Sequence, residues 1–111
     1  EDIKKLFKEI EIVDWADIPK DINMIINATS IGLKKYDDIK LDYDGLGSDK
    51  LYYDVIYNPR ETNFLKKARM IGNRVENGKM MFIYQAHQAF TIWHNVMPKI
   101  DDEVINLLEN D

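Results

Sequence analysis

Residues 51–62 constrain the fold most, because they combine a strand, a turn and the start of a helix in one stretch. Residues 51–56 are mostly aromatic or β-branched, which favours a strand. Pro59 interrupts regular structure, and Thr62 can cap a helix with its hydroxyl. The buried stripe of this helix would consist of Phe64, Leu65, Ala68 and Ile71, with Gly72 as its end. A strand that leads through a turn into a helix predicts an α/β fold.

The rest of the chain alternates strands and helices in the same way. Residues 23–28 contain the apolar run Met-Ile-Ile, which is typical of a strand buried on both faces of a parallel sheet. Residues 34–50 are polar and rich in turn signals, and we expect an irregular surface loop there. Further strands are predicted at residues 11–15 and 74–76, and helices at residues 2–9, 79–96 and 101–108. The predicted architecture is a parallel sheet of about four strands flanked by helices.

Composition excludes several functional classes. The chain has 111 residues, 45% of them apolar, which is enough for one domain with a core. A net charge of −5 argues against nucleic acid and anionic membranes as partners. The absence of cysteine excludes disulfides, a thiolate nucleophile and a cysteine zinc site. Without a signal peptide or a long apolar run, a cytoplasmic location is expected.

Three segments in register resemble the shikimate dehydrogenase family. They are residues 25–33 (IINATSIGL), residues 51–62 (LYYDVIYNPRET) and residues 77–86 (NGKMMFIYQA). The resemblance implies a partial Rossmann-like, NADP-binding domain over residues 1–111, with residues 79–110 forming its C-terminal helices. The family's glycine-rich pyrophosphate turn and its substrate domain have no counterpart here. The chain is therefore interpreted as a C-terminal fragment of a larger enzyme.

The resemblance also implies the reaction of the complete protein. That reaction is the reversible, NADPH-dependent reduction of 3-dehydroshikimate to shikimate, a step of chorismate and aromatic amino-acid biosynthesis. The family's catalytic Lys–Asp pair belongs to the substrate domain, so no residue here is expected to be catalytic and the fragment alone should be inactive. Two alternatives remain: a quinate/shikimate dehydrogenase that uses NAD, and a non-catalytic Rossmann-like interaction module. The presence of both Tyr57 and Gln85 argues against the interaction module, because such a module would have no reason to keep two polar groups at a cleft.

Tyr57 and Gln85 are the substrate-binding residues that the resemblance implies. Tyr57 follows the carboxyl end of its strand, where ligands bind in open α/β sheets. Its alternative role is to pack its ring under the following turn. Gln85 interrupts an apolar helix that is expected to be mostly buried, and a buried amide needs a hydrogen-bond partner. Its alternative role is therefore an internal bond to the backbone.

The resemblance places the NADP coenzyme against a second group of residues. Gly78 is expected beside the nicotinamide, and its alternatives are a left-handed turn or close packing. Lys79-Met80 replaces the family's commoner Leu-Gly, so this turn should be stiffer. The predicted cofactor-binding residues are Asn27, Ala28, Thr29, Val55, Gly78 and Met81.

The remaining polar residues have structural interpretations. His87 and His94 are two turns apart, too far for a joint metal site, and are read as core or boundary residues. Asp54 could cap the following turn or orient Tyr57, and the cap is favoured. The acidic residues of the 34–50 loop lack calcium-loop spacing, so no metal is expected. Since the family's first and second strands are missing, the strand at residues 23–28 should have a bare edge. We expect this edge to be covered either by the strand at residues 11–15 or by a second chain, which would make a homo-oligomer.

Overall fold

The computed structural model describes residues 2–14, 17, 19 and 21–108. The elements in chain order are α1 (Asp2–Leu6), β1 (Met24–Asn27), α2 (Tyr43–Leu46), β2 (Leu51–Asp54), α3 (Asn63–Met70), β3 (Arg74–Glu76), α4 (Lys79–His94) and α5 (Asp102–Leu107). This alternation confirms the predicted α/β class.

The three strands form one parallel sheet in the order β1-β2-β3. Met24 is paired with Leu51, and Leu51 in turn with Arg74. The fourth predicted strand is not found: residues 11–14 are irregular, and Trp15 lies outside the described residues. The family's strand order explains this, because two strands separate its third strand from its fourth. Without them, residues 11–14 lack their native neighbour, and they form no ladder with the free outer edge of β1.

The core lies between the sheet and α3. Thr62 caps α3, since its side-chain oxygen accepts a hydrogen bond from the Leu65 N–H at 3.4 Å. The predicted stripe is confirmed by the burial of Phe64, Leu65 and Ala68. Phe64 packs against the fully buried ring of Tyr52, with the ring centroids 5.3 Å apart. This side of the sheet is therefore closed within the chain.

The prediction of a surface loop at residues 34–50 is partly wrong. This segment contains the short helix α2 and contributes Ile39, Tyr43 and Leu46 to the buried residues. Tyr43 and Leu46 are three residues apart in α2, a helical pattern that the polar residues between them obscured. Tyr43 stacks on Tyr52 at a centroid distance of 6.0 Å. The loop therefore extends the core.

α4 differs most from the expectation. Its residues are mainly apolar, but Ile83 is the only buried one. Asn95 ends the helix in a left-handed conformation, with φ of 51°, three residues before Pro98, the predicted stop. The large apolar side chains of α4 exposed to solvent are Met81, Phe82, Tyr84, Phe90, Ile92 and Trp93. None of the helices among the described residues has the length and apolar character needed to cross a bilayer.

Candidate functional site

The candidate site lies at the carboxyl ends of β1 and β2. The strands are parallel, so the turns that follow them meet at one edge of the sheet, where ligands bind in folds of this class. β1 leads into Ala28 and Thr29, and β2 leads into Val55 and Tyr57. The last residues of the two strands, Asn27 and Asp54, are paired in register.

Asp54 lies at the centre of this edge and is fully buried. One carboxylate oxygen, Oδ1, accepts hydrogen bonds from the Ile56 N–H at 3.0 Å and from Asn27 Nδ2 at 3.1 Å. The other oxygen, Oδ2, accepts from Thr62 Oγ1 at 2.6 Å. The interpretation of Asp54 as a cap of the following turn is thus confirmed, and its side chain makes no hydrogen bond to Tyr57 within the described part of the chain.

The side chain of Asn27 points into the protein and shapes the turn after β1. Its Oδ1 accepts hydrogen bonds from the Thr29 N–H at 3.1 Å and from Thr29 Oγ1 at 2.7 Å. Its Nδ2 donates to the Ile31 carbonyl oxygen at 3.0 Å as well as to Asp54. Because the amide of Asn27 is fully engaged, the surface of this turn consists of the exposed residues Ala28 and Thr29.

Tyr57 is half-buried and rests on α4. Its ring stacks on Phe82 with the centroids 4.7 Å apart and the planes inclined by 26°. Its hydroxyl makes no hydrogen bond to any of the residues that the structure describes, whereas Tyr43, which is buried, bonds the Ile39 carbonyl oxygen. The ring is therefore held in place while the phenol oxygen stays available.

Gln85 corrects one prediction. It is exposed rather than enclosed by a buried helix, and its amide has no hydrogen-bond partner among residues 2–14, 17, 19 and 21–108. The alternative of an internal backbone bond is wrong for the same reason. Gln85 follows Phe82 by three residues, so the two side chains are neighbours on the helix surface. The stack of Tyr57 on Phe82 thus brings Tyr57 and Gln85 to the same part of the site.

Gly78 joins α4 to the end of β2. Its φ of −77° shows that the left-handed alternative is wrong. Close packing is confirmed, because a Cβ at this position would lie 1.9 Å from the Val55 carbonyl oxygen. The Gly78 N–H also donates to the Ile56 carbonyl oxygen at 3.1 Å. Val55 is half-buried here, and Met81 is exposed in the first turn of α4.

Asn77 was missed in the sequence. Its Oδ1 accepts a hydrogen bond from the Lys79 N–H at 3.0 Å, and its Nδ2 donates to the Arg60 carbonyl oxygen at 3.0 Å. It therefore fixes the start of α4 to the turn after β2. The signal was present, since an Asn-Gly pair before a helix commonly forms such a turn.

The histidines and the acidic residues lie apart from this site. His87 Nε2 is 2.8 Å from the Pro98 carbonyl oxygen, as expected of a boundary residue. His94 is exposed, contrary to the prediction, and its ring centroid is 4.4 Å from that of Phe90. Asp37 accepts hydrogen bonds from the backbone, mainly from the Lys34 N–H, which lowers the pKa of its carboxyl. The described residues contain no group of three or more His, Asp or Glu that could hold a metal ion.

Comparison with curated proteins finds relatives named shikimate dehydrogenase (NADP(+)). No protein-family model matches the chain. It is 57% identical over 108 residues to the shikimate dehydrogenase (NADP(+)) of Pelagibacter ubique, covering 97% of this chain and 40% of the relative. It is 46% identical over 80 residues to the shikimate dehydrogenase (NADP(+)) of Staphylococcus haemolyticus, covering 72% of this chain and 30% of the relative. The chain thus spans about two-fifths of the length of such relatives or less.

Solved structures give the same family and its fold. The 5-ketofructose reductase of Gluconobacter superposes with a TM-score of 0.70 at 33% identity, over 84% of this chain and 34% of that one. The shikimate dehydrogenase of Aquifex aeolicus superposes with a TM-score of 0.66 at 33% identity, over 81% and 32%. A shikimate dehydrogenase solved with NADP+ superposes with a TM-score of 0.61 at 38% identity, over 80% and 30%. The chain has their Rossmann-like fold and belongs, over the part that it spans, to the shikimate dehydrogenase family.

Proposed function

We propose that the chain supplies substrate-binding and coenzyme-binding residues of a shikimate dehydrogenase. The complete protein then reduces 3-dehydroshikimate to shikimate with NADPH, reversibly, on the route to chorismate and the aromatic amino acids. Residues 1–111 are the C-terminal portion of its NADP-binding domain, and residues 79–110 form the terminal helices. The supporting observation is that Tyr57, which stacks on Phe82, and Gln85, three residues after Phe82 on α4, both lack a hydrogen bond to the described residues.

On the substrate side, Tyr57 and Gln85 bind the substrate and orient it. The phenol of Tyr57 can donate or accept a hydrogen bond, and the amide of Gln85 offers two donors and an acceptor. Both suit a small polyhydroxy acid. Stacking on Phe82 restricts the Tyr57 ring, so less conformational entropy is lost when the substrate binds.

On the coenzyme side, the turns after β1 and β2 fit a flat, polar ligand. When bound, NADPH supplies the hydride, and the protein's part is orientation. The small exposed residues Ala28 and Thr29 allow a ribose to approach the backbone closely. Gly78 keeps α4 against Val55, so that Val55 and Met81 line the wall at the nicotinamide end. None of these residues acts on a proton, which the proposal leaves to the family's Lys–Asp pair.

Other substrates are less well supported. The Corynebacterium glutamicum quinate dehydrogenase in complex with NAD superposes at 30% identity with a TM-score of 0.63, and the Gluconobacter 5-ketofructose reductase superposes somewhat better. However, the curated relatives at 57% and 46% identity are named shikimate dehydrogenase (NADP(+)). The non-catalytic module is the weakest alternative, because it gives no role to the free polar groups of Tyr57 and Gln85.

The test is a chimera in which this chain replaces the 108-residue segment that it matches in the Pelagibacter ubique enzyme. We expect it to oxidise shikimate with NADP, and to use quinate, NAD or the product of a 5-ketofructose reductase much less well. The isolated chain should show no turnover, which serves as the matched negative control. A folded chimera without shikimate-dependent NADP reduction would overturn the proposal.

Two further parts of the proposal concern location and assembly. We place the protein in the cytoplasm, with a small-molecule substrate and with neither nucleic acid nor membrane as a partner. The outer edge of β1 is the proposed contact in a homo-oligomer of the isolated chain. Asn23 and Asn27 direct their carbonyl oxygens to β2, so Met24 and Ile26, which alternate with them, direct their backbone groups outward. No described residue pairs with this edge in a ladder.

Sedimentation of the isolated chain tests the oligomer. Ile26→Pro removes an outward N–H and is tolerated in an edge strand, so it should lower the association constant. Ile26→Val keeps the N–H and is the control. A wild-type chain that stays monomeric at high concentration would contradict the proposed contact.

A further inference from the structure

The buried carboxylate of Asp54 connects the two turns of the proposed site. Its Oδ1 accepts hydrogen bonds from Asn27 Nδ2, at the head of the turn after β1, and from the Ile56 N–H, in the turn after β2. Tyr57 is the next residue after Ile56. One oxygen atom therefore ties the proposed coenzyme turn to the turn that carries the proposed substrate residue.

A purely structural role does not account for this arrangement. A charge with no exposure costs free energy unless hydrogen bonds compensate it. Asp54 forms no ion pair with a described residue and relies on three hydrogen-bond donors instead. Capping α3 does not require it, because the hydroxyl of Thr62 already accepts from the Leu65 N–H. The distinctive feature is that the carboxylate spans both turns.

We propose that Asp54 is a positioning residue that fixes the coenzyme and the substrate relative to each other for hydride transfer. This inference rests on the proposed function. Asp54 touches neither ligand. It holds the backbone at Asn27 and Ile56 in one geometry, so that ligands on the two turns meet at reacting distance. Small misplacements of reacting groups lower a rate far more than they lower binding.

The test measures kcat and the two ligand affinities separately in the chimera. Asp54→Ala should lower kcat by about 10–100-fold, because each turn keeps its own local contacts but their relative position relaxes. The Kd values of shikimate and NADP+, measured one at a time, should change by less than about threefold. With NADPH that carries deuterium at the transferred position, the isotope effect on kcat should rise as the transfer step becomes slower than product release.

Two further variants separate positioning from folding. Asp54→Asn should restore most of kcat, because its oxygen can serve Asn27 and Ile56 while its amide donates to Thr62. Thr62→Val removes a hydrogen bond of the same carboxylate and the cap of α3, but leaves both bonds to Oδ1 in place. It should lower the melting temperature and leave kcat unchanged, when assayed well below that temperature.

The outcomes distinguish the two hypotheses. If the unmutated chimera folds but does not reduce NADP with shikimate, the proposed function fails and this inference fails with it. If the chimera is active and Asp54→Ala keeps its kcat and isotope effect, only the positioning role is overturned. If Asp54→Ala does not fold, Asn27→Ala takes its place, since it cuts the turn after β1 from Oδ1 and leaves the bonds of Asp54 to Ile56 and Thr62, while it also removes the bonds of the Asn27 side chain to Thr29 and Ile31. An unchanged kcat and isotope effect in Asn27→Ala would then overturn the inference.

Discussion

α3 and α4 behave in opposite ways, although both follow a strand of the same sheet. α3 has eight residues and buries three of them, Phe64, Leu65 and Ala68. α4 has sixteen residues, is the more apolar of the two, and buries only Ile83. Apolar content alone would assign the core to α4. The reason is the distribution of apolar side chains. In α3 they form a narrow stripe that packs on the sheet, whereas in α4 they lie around most of the helix surface.

The relatives give this contrast a physical reading. The chain spans 40% of the Pelagibacter ubique enzyme, so most of that enzyme has no counterpart here. Exposure of large apolar side chains to water costs free energy. In α4, Trp93 is 77% exposed and Phe90 is 43% exposed. We expect the segments that this chain does not match to cover α4 in the chimera.

Truncating one phenylalanine on each helix tests the contrast directly. In the isolated chain, Phe64→Ala should cost about 3–5 kcal/mol of unfolding free energy, because it leaves a cavity in the core. Phe90→Ala is the matched comparison and should cost clearly less, because Phe90 is 43% exposed and leaves no core cavity. Denaturant unfolding gives both values. In the chimera, the cost of Phe90→Ala in unfolding free energy should rise. Equal costs of Phe64→Ala and Phe90→Ala in the isolated chain would refute the contrast.

Gly78 is the point at which α4 attaches to the sheet. Gly78→Ala places a Cβ where the Val55 carbonyl oxygen lies, so α4 must move away from β2. The change should cost about 1–3 kcal/mol of stability, as overpacking does, and should raise the KM for NADP in the chimera. Gly45→Ala is the control for losing a glycine, because Gly45 is an exposed residue of the helix α2. Normal stability and an unchanged KM for NADP would remove Gly78 from the site.

Tyr57 and Gln85 test whether the exposed side of α4 is functional. In the chimera, Tyr57→Phe and Gln85→Ala should each lower kcat/KM for shikimate by about 1–3 kcal/mol, the range for one lost hydrogen-bond partner. The melting temperature should hardly move, since neither polar group has an internal partner. Gln88→Ala, one turn further along α4, is the control and should retain kcat/KM. Wild-type kcat/KM in both mutants would show that the substrate assignment is wrong.

The sequence specified the α3 side of the molecule well. The strand predicted at residues 51–56 is found at residues 51–54, and the cap at Thr62 is confirmed. Three of the four predicted stripe residues, Phe64, Leu65 and Ala68, are buried in α3. All of these are local patterns. The network around Asp54 could not be predicted, because it joins residues 27, 54 and 62 across three elements. Only the pairing of β1 with β2 brings them together.

The α4 side was predicted less well for a physical reason. An apolar side chain becomes buried only where another surface covers it. An apolar sequence therefore predicts that burial would be favourable, but not that a covering surface is present. Gln85 was therefore expected to be enclosed and is exposed. The predicted strand at residues 11–15 was wrong because residues 11–14 pair with no strand, although the outer edge of β1 is free. The substrate and coenzyme assignments remain predictions.

The smallest effect concerns Asp37, whose side chain stabilises the loop at residues 32–37 on the α3 side of the molecule. Its carboxylate accepts hydrogen bonds from the Lys34 and Gly32 N–H groups, and these lower its pKa in the folded protein below the usual 3.8. Its contribution to stability is therefore fully present above about pH 4 and is lost as the pH falls through the folded pKa. Asp37→Asn should lower the melting temperature slightly at pH 7, and this difference should shrink below about pH 4. Asp44→Asn is the control, because the Asp44 side chain makes no hydrogen bond to a described residue, and it should match the wild type at both pH values. A difference for Asp37→Asn that grew as the pH fell would reverse the sign of the argument and show that the neutral carboxyl is the form bound in the loop.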